Sequence, residues 1–125
     1  MDETTRSYEL KFEERPEYLY ACVKASKLTG ETARAYLRDI VDEAARRGYK
    51  RLMVERDIPV SLDMATLFFA AMDFTEMIHG MRVVFVNPHP ELEDHMDFAR
   101  TVATNRGANY TIVRDVESAE KWLLS

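Results

Sequence analysis

Four times along this chain a short apolar run gives way to a segment with helical spacing, and that alternation restricts the fold more than any other feature. The runs are 18–25, 50–56, 82–86 and 109–113; the segments that follow them are 29–48, 61–79, 91–106 and 116–124. Parallel strands cannot be joined by a tight turn, so strand–helix–strand repeats imply crossovers and a parallel sheet. Ahead of them, "YELKFEE" (8–14) alternates with period two: Tyr8, Leu10 and Phe12 on one side, Glu9, Lys11 and Glu13 on the other. Arg15, Pro16 and Glu17 supply a turn into "YLYACVKA" (18–25). There Leu19, Ala21, Val23 and Ala25 form the core side, and Tyr18, Tyr20, Cys22 and Lys24 lie opposite. Two alternating runs with a short connection are a hairpin. The order ββαβαβαβα therefore predicts an α/β fold with one mixed sheet. An N-terminal antiparallel hairpin is followed by parallel βαβ crossovers, with the helices packed mainly on one face. At 125 residues the chain suits one domain, spanning 1–125.

The first helix is conventional. Ala33, Tyr36, Leu37, Ile40, Val41 and Ala44 make one apolar stripe, Thr29 suits its N-cap, and Gly48 suits the left-handed residue beyond its end. Gly107 has the same role after 91–106, and Pro90 fits a first helical position. Helix 61–79 is different. Met64, Leu67, Phe68, Ala71, Phe74 and Ile78 form one stripe, while Leu62, Ala65, Phe69 and Met72 form a second, well around the cylinder. Only a wedge near Asp63, Thr66 and Asp73 is polar. A helix apolar nearly all round must cover its second stripe with neighbouring helices, a second copy of the chain, or an apolar ligand. In the last case Met72 and Met77 would be adaptable walls. Ser61, just ahead of the apolar run, is predicted to be the N-cap, with Asp63 in the first turn complementing the helix dipole.

Several function classes find no support. Seventeen basic against 22 acidic side chains leave a net charge of −5, opposite to what a nucleic-acid surface requires. A single cysteine, Cys22, excludes an internal disulfide and a multi-cysteine zinc site. The opening "MDETTRSYELK" has no signal-peptide pattern, and no apolar run approaches the roughly 18 residues of a membrane span, so a cytoplasmic location is expected. In open α/β sheets ligands gather at the carboxyl ends of the strands. That edge would carry Glu55, Arg56, Asp57 and Ser61 after one strand, Asn87 and His89 after the next, and Arg114 and Asp115 after the last. His89, Glu93 and His95 lack the spacing of a helical ligand pair, and the acids of "HPELEDH" complement a helix start, so no metal is predicted. Neither Ser61 nor Ser26 sits in a nucleophile elbow, Cys22 has no cationic neighbour in sequence, and no glycine-rich phosphate loop occurs. No catalytic residue and no cofactor is expected.

The element order, the ending "YTIVRDVESAEKWLL" and the segment "FARTVATNRG" (98–107) resemble a STAS domain. More narrowly they are similar to the SpoIIAA-like branch, grouped with CRAL-TRIO-type lipid-binding folds, over nearly the whole chain. The resemblance implies a regulatory or protein-interaction module rather than an enzyme. STAS domains that antagonise anti-sigma factors carry a phosphorylated serine in a D-S-[ST]-G element before the second helix. The corresponding place here reads "VSLDMAT": no Ser/Thr follows Ser61, no glycine is present, and Asp63 comes after the serine. The phospho-switch is therefore not carried over to Ser61. The expectation is a homodimer that binds, using helix 61–79 and the loop before it. Its contact residues would be drawn from Asp57, Ser61, Leu62, Ala65, Phe69, Met72, Asn87 and His89, toward a second copy or a regulatory protein. The alternative is a carrier or sensor of an apolar, lipid-like molecule in a pocket beside the same helix.

Overall fold

The computed structural model describes residues 8–125; the first part of the N-terminal segment read above for a signal peptide lies outside them. The elements run β1 (Glu9–Glu14), β2 (Leu19–Lys24), α1 (Gly30–Arg46), β3 (Arg51–Asp57), α2 (Met64–Met77), β4 (Arg82–Val86), a 3-10 turn (Pro90–Leu92), α3 (Glu93–Asn105), β5 (Asn109–Val113) and α4 (Val116–Leu123). One five-stranded sheet has the order β1-β2-β3-β4-β5, with β1 antiparallel to β2 and all other neighbours parallel. The expected mixed α/β sheet and element order are observed.

Topology explains where the helices lie. Each crossover from β2 to β5 steps in the same direction, and right-handed crossovers stepping one way place successive helices on one face. There α1, α2 and α3 cover a core built from Leu19, Ala21 and Val23 of β2, Leu52 and Val54 of β3, and Val83 and Phe85 of β4. The period-two partners face the other way. Tyr18, Met53, Val84 and Val86 meet Ala119 and Leu123 of α4, which follows the last strand and is under no crossover constraint. Tyr18 is thus fully buried on the second face, and its hydroxyl donates to Glu120 at 2.8 Å. Under α2 the rings of Phe74, Phe85 and Tyr110 meet edge to face at 5.0–5.5 Å between centroids.

The predicted start of the second helix is corrected. Helix α2 begins at Met64, and its N-cap is Asp63, whose carboxylate accepts from the Thr66 amide at 2.9 Å; Ser61 caps nothing. The cause lies one strand earlier. The Arg56 guanidinium donates to the carbonyls of Ile58 and Val60, both at 2.8 Å, so the loop wraps around it and turns helical only beyond. Thr29 does cap α1, accepting from the Thr32 amide at 3.0 Å. Gly48 and Gly107 hold φ of 81° and 91°, the left-handed conformation expected beyond a helix end. Among the described residues no helix is long and apolar enough to cross a membrane.

Candidate ligand-binding site

The carboxyl edge of the sheet brings together three of the residues expected there. Asp57 ends β3, and Asn87 and His89 follow β4. His89 Nε2 lies 3.1 Å from Asp57 Oδ1, and its Nδ1 lies 3.7 Å from Glu91. Asn87 is buried and fixes the loop: its amide donates to the His89 carbonyl at 3.0 Å and its oxygen accepts from the His89 amide at 3.3 Å. The rest of the edge is occupied structurally. Glu55 accepts from the Tyr20 hydroxyl, Arg114 donates to Glu93 at 3.0 Å, and Asp115 caps α4 by accepting from the Ser118 amide at 2.7 Å.

Behind this edge, between the sheet and helices α1, α2 and α3, lies a cavity of about 60 Å³. Most of its wall is apolar, including Leu37, Leu62, Leu67, Phe74 and Met96. Four polar side chains also line it: Arg56, Ser61, Tyr36 and Tyr110. Arg56 is 3% exposed. It stands in phase with Leu52 and Val54 on the core side of β3, so strand geometry drives a guanidinium into the interior. The two loop carbonyls are its only hydrogen-bond partners among the described residues, and no carboxylate pairs with it there. Two of its five N–H donors are thereby used.

The hydroxyls around it are unpartnered as well. Ser61 Oγ is buried and makes no hydrogen bond. Tyr36 and Tyr110 are 3% and 7% exposed, and among the described residues neither hydroxyl has a hydrogen-bond partner. Burial foremost, with the Tyr36 phenol adding to it, pushes the Tyr110 hydroxyl far above the ordinary tyrosine range, while Arg56 and Arg100 act the other way. Tyr110 therefore stays protonated at any physiological pH and remains a donor. The lining combines a cation and three hydroxyl-bearing side chains with largely apolar walls.

The residues expected to act together separate into three places. Asp57, Asn87 and His89 share the rim. Ser61 and Leu62 line the cavity. Ala65, Phe69 and Met72 do neither: they point away from the sheet on the outer side of α2, where Phe69 is 60% exposed. Of the three coverings considered for that stripe, the rest of the chain provides only part: Leu62 is buried and Met72 half-buried, while α1 and α3 flank α2 and leave Ala65 and Phe69 exposed. Arg56, by contrast, is expected on the polar rim from its place near a strand end and is found inside. Its phase with Leu52 and Val54 was the available signal that it points inward. Cys22 is half-buried in mid-strand, and burial first and the Glu55 carboxylate second hold its thiol above the usual range, which makes it a poor nucleophile.

Compared with models of known protein families and with curated proteins, the chain matches none.

Proposed function

We propose that the protein is a non-catalytic, STAS-like interaction module that pairs with a second copy of itself through the outer face of α2. The observation that carries this reading is the exposure of Phe69, at 60%, on the outer side of α2, a helix that also exposes Met64 and Ala65 and leaves Met72 half-buried. Large apolar side chains exposed together on one helix of a small domain favour a contact site. Arg34 and Arg38 of α1 stand beside Asp73 and Glu76 of α2 at one margin of that face, so its rim carries both signs of charge. A two-fold copy meets opposite charges on such a rim, whereas a strongly acidic or basic partner would meet as much repulsion as attraction.

Native mass spectrometry tests it. The wild-type protein is expected at twice the 14.5 kDa chain mass, and Phe69→Asp at the single-chain mass with an unchanged circular dichroism spectrum. A wild-type monomer at tens of micromolar overturns the reading. A second reading, a carrier or sensor of a small molecule, is supported by the cavity. Its pocket lies beneath α2, lined by Ser61 and Leu62 but not by Ala65, Phe69 or Met72.

A further inference from the structure

We propose that the cavity beneath α2 is a binding site for a small organic monocarboxylate, its carboxylate held by Arg56, Ser61, Tyr36 and Tyr110 and its short apolar body held by Leu37, Leu67 and Phe74. The inference rests on the cavity alone, so the oligomeric state neither supports nor overturns it.

A buried charge is costly unless an opposite charge or a full set of hydrogen bonds compensates it. Arg56 has two carbonyls and, among the described residues, no anion. Buried hydroxyls are ordinarily paired, yet that of Ser61 is not, and the Tyr36 and Tyr110 side chains, whose hydroxyls have no partner among the described residues, line the same chamber as the guanidinium. Four donor side chains in one lining that holds no acidic side chain are complementary to an acceptor-rich anion. Water would satisfy the hydroxyls and leave the charge uncompensated.

The class of anion follows from the walls and the volume. One guanidinium balances one negative charge, so a dianion would enter with a charge that no side chain in the lining neutralises. The remaining lining is aliphatic and aromatic, which favours a ligand with an apolar body and excludes one that is polar on all sides. A volume of about 60 Å³ is well below the roughly 150 Å³ that accommodates benzene, so the ligand has only a few heavy atoms. Leu28, Ser61 and Ala99, each only partly buried, stand at the boundary with solvent and give an entry path.

The test is a titration of the full-length protein with sodium acetate, propionate and butyrate at constant ionic strength, followed by amide chemical shifts and calorimetry. Inorganic phosphate and 1-butanol serve as the polar anion and the uncharged counterpart. Saturable shifts centred on Ser61, Leu62 and Tyr110 are expected with acetate or propionate, with binding at least about tenfold tighter than 1-butanol, as a charge-assisted contact implies. Arg56→Met is expected to abolish binding. Because Arg56 also holds the loop, Ser61→Ala and Tyr110→Phe provide the second arm: each folds and weakens propionate by about five- to tenfold. No saturable response to any carboxylate overturns the proposal, as does 1-butanol binding equally well. Phosphate competing on equal terms overturns the monocarboxylate assignment and makes this a site for inorganic anions.

Discussion

Arg82 lies over Trp122, its guanidinium carbon 3.8 Å from the indole centroid, and from that position it donates to the carbonyls of Trp122 at 2.6 Å and Leu123 at 3.3 Å. A residue at the start of β4 thus closes the C-terminal end of α4, where the last carbonyls have no partner within the helix and the dipole favours a cation. It also donates to Asn109 at 3.1 Å, tying β5 to the same point. Arg82→Met keeps part of the apolar stem and removes the stacking and both carbonyl contacts. It is expected to lower stability by about 1–3 kcal/mol in urea denaturation. Trp122 is the only tryptophan, so its emission reports α4 directly and should shift to the red in the variant before global unfolding. Unchanged emission and midpoint would show that Ala119 and Leu123 alone hold the helix.

Gly30 is required by a close approach between helices. A Cβ at that position would stand 2.8 Å from Thr66 Cγ2, at the point where the first turn of α1 meets the first turn of α2. Thr66 cannot swing aside freely: β-branching restricts its χ1, and its hydroxyl donates to Asp63 at 2.9 Å within the α2 cap. Gly30→Ala should cost about 1–3 kcal/mol by overpacking, despite alanine's better helix propensity. Thr66→Ser removes the offending methyl and keeps the hydroxyl. The double variant Gly30→Ala/Thr66→Ser is therefore expected to recover most of the loss, and a double-mutant cycle by denaturant titration reads the coupling. Additive effects would place the strain elsewhere.

Strand–helix alternation made the fold legible because period two and period 3.6 are both imposed by local geometry. Leu19, Ala21 and Val23 face the core as their alternation requires, and Ala33, Tyr36, Leu37, Ile40, Val41 and Ala44 are all buried in α1. The site was less legible, for two physical reasons. Whether Ala65, Phe69 and Met72 are covered depends on how far α1 and α3 reach around α2, which no local pattern encodes. The phase of Arg56 with Leu52 and Val54 points it inward, but its charge opposes that placement, and what makes it tolerable is the loop folding its Ile58 and Val60 carbonyls onto the guanidinium, which no alternation pattern encodes.

The α2 cap separates these influences experimentally. Serine and aspartate are comparable N-caps in isolation, and Ser61 and Asp63 stand two residues apart. The loop held by Arg56 decides in favour of Asp63. The Thr66 amide first, and then its hydroxyl, hold the Asp63 carboxyl below its usual range. The sign follows: a carboxyl lowered in the folded state stabilises above its unfolded pKa, and that contribution is lost as pH falls through the lower folded value. Asp63→Asn is therefore expected to flatten the acid limb of the stability–pH curve between pH 5 and the low folded pKa, while keeping a side-chain cap. Ser61→Ala should leave stability and its pH dependence unchanged, since its hydroxyl has no partner to lose. A loss on Ser61→Ala equal to that of Asp63→Ala would restore Ser61 as the cap.

Cys22 gives a prediction about reactivity. Its thiol is raised first by burial and next by the Glu55 carboxylate, the residue beside it in register across the β2–β3 pair. Glu55 also accepts from the Tyr20 hydroxyl, which keeps the carboxylate fixed near the thiol and pushes the tyrosine pKa upward through burial and that contact. The nucleophile is the thiolate, so at pH 8 Cys22 is expected to react with iodoacetamide more slowly than a free cysteine, by about tenfold. Glu55→Gln removes the negative charge and leaves the burial in place. It should raise the rate and shift the pH–rate midpoint downward without matching free cysteine. If the midpoint stays where it was, burial alone sets the reactivity of this thiol and the carboxylate across the pair has no part in it.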